Sequence, residues 1–376
     1  MAAVRGDAGA PMVSFEAVHK RISRGTRRRL GRVLARCLAA PPAVPPENLP
    51  EDPRILVVRL NYRMGNLLLV TPALHALARR WPRARIFVLC GDRYASLLRG
   101  NPDVHEIWPL PRPRYGTLGT IVRYLRQLRR TPFDLAIDGG RGGSLTGALA
   151  VRLSAAPLTV GGDGTPYAPL FSLRAPPPPA GSHRIEGLLG MLRLVGVEGV
   201  DPRMWVHLDR SERRWAAERF AAYGLAGTRV VGLNVGARGD KRWPFDRFLE
   251  LAGLLRRRPD VRCLLFVGPE EERRFREASG GLPEGIVCDR TFDPRRFAAL
   301  LERCDVVVSA DTGPMHLAAA VGTPVVALFR RDNVEEFRPL GRGHRVLHDP
   351  SGPEVEAVRR AVCETLDGPA GAARTE

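Results

Sequence analysis

Three segments of this chain run from an apolar stretch through a glycine-containing turn into a helical pattern, and each carries residues suited to a phosphorylated ligand. In DTGPMH (311–316), an apolar run ends at Asp311, Thr312 and Gly313 make the turn, and Pro314 fits the first helical turn. The start of such a helix presents unbonded amide donors and the positive end of its dipole, which favours a phosphate. The competing reading is that Asp311 or Thr312 only caps the helix and Gly313 only serves the turn. In NVGARGDKRWP (234–244), the loop carries Lys241, one of only two lysines among 58 basic residues. A compact ammonium suits the charge of a diphosphate leaving group, although a solvated loop lysine reads the same way. In RLNYRMGNLLLVTPAL (59–74), Gly65 allows close approach of a substrate to the chain, or simply makes an ordinary turn.

The rest of the sequence narrows the classes. GxGxxG, GxxxxGK[ST], GxSxG and DxD are all absent, which argues against dehydrogenase, P-loop, α/β-hydrolase and metal-dependent transferase readings, and nothing calls for a metal. The six cysteines form no CxxC or Cys/His pair at zinc-ligand spacing and read as reduced core thiols. No apolar run approaches the ~18 residues of a membrane span, and the first 30 residues lack a signal-peptide core, so a cytoplasmic location is expected. The net charge of +18 suits either a nucleic acid or anionic substrates at an anionic membrane surface. The basic residues are spread out without an RNP-type aromatic pattern, which disfavours nucleic acid.

The elements that must hold these loops follow a repeating strand, loop, helix pattern, the signature of parallel α/β architecture. Strands are predicted at 54–60, 85–90, 104–108 and 133–138, and again at 229–236, 261–268, 285–289, 304–311 and 323–329, with helices such as 67–80, 116–130 and 184–194 between them. This divides the chain into a basic extension (1–53), a first Rossmann-like domain (54–205), a second (206–350) and a C-terminal helix and tail (351–376), the helix placed to cross back onto the first domain. The proline-rich 172–183 reads as a surface loop. In the extension, Leu30, Val33, Leu34, Cys37 and Leu38 share one helical face amid eight basic residues and no acidic one between His19 and Ala39. That helix either packs on the body or docks on anionic lipid headgroups.

Several of these segments, in the same order, resemble glycosyltransferase family 9, whose best-known members are the ADP-heptose:lipopolysaccharide heptosyltransferases. The similarity runs from about Arg54 to Leu347 and rests on the glycine loop with TPAL (55–74), FDLAID (133–138), HRIEGLLGMLRLVGV (183–197), GARGDKRWP (236–244), FVGPEEE (266–272) and SADTGPMHLAAAVGTPVVALF (309–329). The resemblance implies a GT-B fold, two Rossmann-like domains facing a cleft, and inverting transfer without a catalytic metal or cofactor. It places Asp311, Thr312, Gly313 and His316 around the donor sugar and phosphates, Lys241 on the diphosphate, and Gly236 and Ala237 in loop contacts. It puts Glu271 on the ribose and Phe292 against the adenine. Asn61, Arg63 and Gly65 fall on the acceptor side.

One position departs from the family. Where members carry an aspartate taken as the base for the acceptor hydroxyl, this chain has Asn66, and an amide cannot accept that proton at neutral pH. Asp138 is the replacement base suggested by the sequence; otherwise stabilisation of the leaving group dominates the rate, or activity is lost. The expected function is transfer of heptose from ADP-heptose to an anionic glycolipid of the lipopolysaccharide core, at the inner membrane surface. The alternatives are another nucleotide-sugar donor for O-antigen, capsule or exopolysaccharide, and a catalytically silent nucleotide-sugar-binding homologue.

Overall fold

A computed structural model describes residues 24–112, 118–141, 143–268 and 286–368. Glu271, residues 1–23 of the predicted basic extension and the tail after 368 lie outside these residues. The chain opens with helix α1 (Arg24–Cys37) and then builds a six-stranded parallel sheet. Its strands are β1 (Arg54–Arg59), β2 (Arg85–Gly91), β3 (Glu106–Leu110), β4 (Leu135–Asp138), β5 (Leu158–Gly162) and β6 (Leu173–Ala175), in the order β3-β2-β1-β4-β5-β6. Both faces are covered, as a parallel sheet requires. Helices α3 (Thr71–Arg80) and α7 (Arg184–Leu192), with the short α4 (Asp92–Ala95), cover the face of Ile55, Val57, Ile86 and Val88. α1, α5 (Leu118–Arg130) and α6 (Leu145–Leu153) cover the face of Leu56, Val58, Phe87 and Leu89.

The second half repeats the plan with β7 (Arg229–Asn234), β8 (Val261–Phe266), β9 (Val287–Asp289), β10 (Val306–Ala310), β11 (Val325–Phe329) and β12 (Arg345–His348), ordered β12-β11-β10-β7-β8-β9. Its helices include α8 (Arg210–Ala222), α9 (Phe245–Leu255), α10 (Pro294–Arg303), α11 (Gly313–Ala320), α12 (Val334–Phe337) and α13 (Val355–Leu366). In both sheets the order turns back at the central pair, β1/β4 and β7/β10. In such sheets the crevice beyond the strand carboxyl ends, at this turning point, is where ligands bind.

Four expectations need correction. The helix foreseen from Leu67 to Arg80 is two, α2 (Met64–Leu68) and α3, because Pro72 in the first turn of α3 has no amide to continue the earlier helix. The start of the 172–183 loop forms the edge strand β6, where the prolines that follow need donate nothing. Helix α13 stays on the second domain, since Val355, Val358, Ala361, Val362 and Leu366 fill the core against α9 and β10. And α1 does not dock by its expected apolar face. Its contact is led by small residues, with Leu38 of that face beside them: Ala35 is fully buried, and a Cβ at Gly31 would come within 2.9 Å of Tyr167 Cε1, so a larger residue there would have to push the Tyr167 ring aside. Val33, Leu34 and Cys37 are left exposed. Cys90, Cys263 and Cys304 are buried, whereas Cys37 is exposed, and burial pushes the Cys90 and Cys263 thiols up to about 12.

The two domains share a core. Leu68, Leu69, Leu97 and Ile185 of the first pack with Met315, Leu317, Ala318 and Phe220 of the second. The crossing near residues 198–209 stitches both, with Trp205 N donating to Thr71 Oγ1 at 3.2 Å and Val206 N to Ala320 O at 3.0 Å. Arg295, buried on α10, donates to Ser96 O and Arg99 O of the first domain and pairs with Glu212 of α8.

Candidate active site

The cleft between the two sheets has a volume of about 1330 Å³. Its second-domain wall is the end of β10 and the start of α11. Thr312 sits at the N-cap of α11, yet its side chain does not cap the helix. Thr312 Oγ1 instead donates to Ala310 O at 3.2 Å and accepts from Asn234 Nδ2 at 3.5 Å. The leading amides of α11 therefore have no side-chain acceptor from Thr312, which is the arrangement an anion completes. Asp311 is almost wholly buried, and its Oδ2 accepts from Lys241 Nζ and, at 2.9 Å, from Asn333 Nδ2. Asp311 thus holds Lys241 at the mouth of the helix. Gly236 and Ala237 line the same wall, and Ala237 O is taken by Arg242 Nη2 at 2.8 Å. Phe292, 55% exposed, lines the cleft.

His316 is 4% exposed and its Nδ1 has no partner among the described residues. Burial pulls it down to about 4; His183 and Lys241 act in the same direction and Asp311 opposes them. It is neutral at pH 7 and contributes hydrogen bonding and shape rather than charge. A buried nitrogen left unbonded costs roughly 1–3 kcal/mol, which a ligand group can recover. The ring edge packs against the first domain, where a Cβ on Gly65 would lie 2.7 Å from His316 Cδ2. Nearby, Gly313 meets Met64 and Gly65 N. The starts of α2 and α11 therefore abut, and the donor and acceptor halves of the cleft join at this seam.

On the first-domain wall, Gly65, Asn66 and Arg63 face the cleft. Asn61 does not; its Oδ1 accepts from Arg63 N at 2.9 Å and shapes the turn. Asp138, 1% exposed, also stands behind the wall, and its Oδ1 accepts from Gly140 N at 2.7 Å to fold the loop after β4. Several of the residues that line the cleft but were not foreseen are arginines. Arg59 reaches Asn66 O and Gly139 O, both at 2.9 Å. Arg141 has a left-handed backbone (φ 59°) and a buried Nε without a partner among the described residues, in space left by Gly187. Arg184 pairs with Glu336 across the domains. Burial, then the charge of Arg184, lowers Arg141; burial is also first for Arg59, where Asp138 opposes it. The run DGGRGG (138–143) was the available signal for Arg141.

A family model, glycosyltransferase family 9 (heptosyltransferase), matches residues 121–363. The chain belongs to glycosyltransferase family 9. It is 25% identical over 288 residues to lipopolysaccharide heptosyltransferase 3 of Escherichia coli K12, covering 73% of this chain and 82% of that protein. It is also 25% identical to lipopolysaccharide heptosyltransferase 2 of the same strain, covering 78% and 87%. Among solved structures, a family 9 transferase from Veillonella parvula superposes with a TM-score of 0.75 at 20% identity, covering 84% of this chain and 97% of that one. The E. coli heptosyltransferase WaaC with ADP superposes at 0.66 and 22%, covering 83% and 99%. These superpositions establish the GT-B fold of this glycosyltransferase.

Proposed function

We propose that this family 9 transferase moves a heptosyl group from ADP-heptose to an anionic glycolipid of the lipopolysaccharide core, with inversion and on the cytoplasmic side of the inner membrane. The observation that carries the reading is Lys241, held by Asp311 at the uncapped start of α11. The names of the curated relatives, and the ADP in a solved one, agree with it. In this reading the acceptor hydroxyl attacks the anomeric carbon from the face opposite the diphosphate, the carbon–oxygen bond to phosphate breaks, and ADP leaves. Lys241 and the α11 amides meet the charge that develops on the diphosphate, so the step needs no metal. Phe292 stacks on the base. Arg59, Arg141 and Arg184 favour an acceptor bearing phosphate or carboxylate groups.

Asp138 is poorly placed as the base. Of the carboxylates lining the cleft among the described residues, Asp289 is bonded to Arg219 and Tyr223, and Asp311 to Lys241. Asp163, exposed just after β5, is the one we assign to the acceptor proton. The test is ADP release from ADP-heptose, measured beside other nucleotide-sugar donors. Asp163→Asn should lower kcat at least a hundredfold and Asn66→Asp should restore part of it, with Asp138→Asn changing kcat little. Turnover of a different donor alone would redirect the substrate reading. Tight ADP binding with no transfer from any donor would favour the catalytically silent homologue, for which Asn66 is the motive.

A further inference from the structure

The excess charge is not shared between the halves. Residues 1–205 hold 30 basic and 14 acidic side chains, whereas 206–376 hold 28 and 26. Many arginines of the second half are met by carboxylates: Arg213 by Glu302, Arg258 by Asp260 and Asp367, Arg359 by Glu356. The surplus of the first half collects on one layer. Helices α1, α5 and α6 contain eleven arginines and no aspartate or glutamate. On α5, Arg123, Arg126, Arg129 and Arg130 are all exposed, as are Arg29, Arg32 and Arg36 on α1. None of these seven pairs with a carboxylate among the described residues.

Apolar groups stand on the same layer. Because α1 docks through Gly31 and Ala35, Val33 (59% exposed) and Leu34 (36%) face outward; Val44, also exposed, lies beyond the helix and is not part of the layer. Apart from Phe292 in the cleft, these are the large hydrophobics exposed among the described residues. The core beneath the layer contains first-domain residues only, so the layer takes no part in joining the domains.

We propose that the α1/α5/α6 layer docks on the surface of an anionic lipid bilayer, with its arginines at the headgroups and Val33 and Leu34 at the edge of the acyl region. A nucleic acid would satisfy the arginines but would leave Val33 and Leu34 without a role. The proposal gives the lipid-linked acceptor assigned above its surface, but it stands on charge and exposure, so vesicle binding and sugar transfer can fail independently.

The test is co-sedimentation of the full chain with phosphatidylglycerol-containing vesicles and with phosphatidylcholine vesicles. The expected result is at least tenfold stronger binding to the anionic vesicles, weakened by salt. Val33→Glu/Leu34→Glu and Arg126→Glu/Arg129→Glu should each reduce that binding at least tenfold, with the thermal unfolding midpoint and ADP affinity unchanged. Equal binding to both vesicle types, or wild-type vesicle binding by both variants, overturns the proposal. So does vesicle binding that survives Val33→Glu/Leu34→Glu while duplex DNA binds as tightly, since the layer would then be a nucleic-acid face.

Discussion

Replacing Gly65 with alanine tests the seam at which the two halves of the cleft meet. Gly65 lies within α2, and its backbone angle is not one that excludes alanine. In an isolated helix the change would favour folding by roughly 0.5–1 kcal/mol. Here the new Cβ would lie 2.7 Å from His316 Cδ2, about 0.7 Å short of the 3.4 Å at which ordinary contact begins. The ring has little room to retreat, because it is 4% exposed on a helix whose Met315, Leu317 and Ala318 are fully buried. Overpacking of this kind costs about 1–3 kcal/mol, more than the helix gains, so net destabilisation on the order of 1 kcal/mol is expected. That corresponds to a fall of roughly 1–2 °C in Tm for a protein of 376 residues. If the strain is relieved by separating α2 from α11, the acceptor moves relative to the diphosphate, and a displacement approaching 1 Å can lower the rate about a hundredfold. Circular dichroism melting and kcat/KM for ADP release read the two effects. The His316→Ala background should shrink the stability loss, since the clash partner is gone. A Gly65→Ala protein that melts at or above the wild type and keeps its turnover would refute the reasoning.

Other outcomes follow from the same geometry. Lys241→Ala should weaken ADP binding about 10- to 100-fold by calorimetry, the range of a lost hydrogen bond to a charged group, and lower Tm because buried Asp311 loses its counter-ion. His316 titrates near 4 in the folded chain and near 6.5 unfolded, so the unfolded state takes up a proton between those values that the folded state refuses. Stability should therefore fall as pH drops from about 6.5 toward 4, by up to about 3 kcal/mol from this residue. Urea melts should show a shallower slope in His316→Asn, though not a flat one, because burial holds His344 near 4 as well. Arg295→Met should cost about 3–5 kcal/mol in urea unfolding, since it strands Glu212 and two first-domain carbonyls.

Local chemistry explains what could be read beforehand. Uninterrupted runs such as VVVSA (306–310) and the turns after them announce buried parallel strands, so both sheets and the donor loops were visible. Strands β5, β6 and β12 were missed because they are short and rich in glycine or arginine, LTVGG, LRA and RVLH, and depend on a neighbouring strand. On the donor side, Lys241 and Asp311 come from adjacent strand ends of one sheet, and proximity in a doubly wound sheet is predictable. The acceptor side is different. Whether a carboxylate at a strand end faces the cleft or folds its own loop depends on a few backbone angles, and Asp138 turned inward where Asp163 did not. Asn333, at the start of α12, reaches Asp311 within the second domain, and Arg184 of α7 meets Glu336 across the domains; no local pattern encodes either contact.

The core that runs unbroken from Leu68 and Leu69 into Met315 and Leu317 bears on how such enzymes can be recombined. A chimera joined at the crossing near residue 205 would exchange the donor half yet leave α2 pressed against a foreign α11. Grafting a new donor specificity onto this scaffold therefore means transplanting residues 64–69 together with the C-terminal domain, because that short helix is inherited from one half of the chain and fitted to the other.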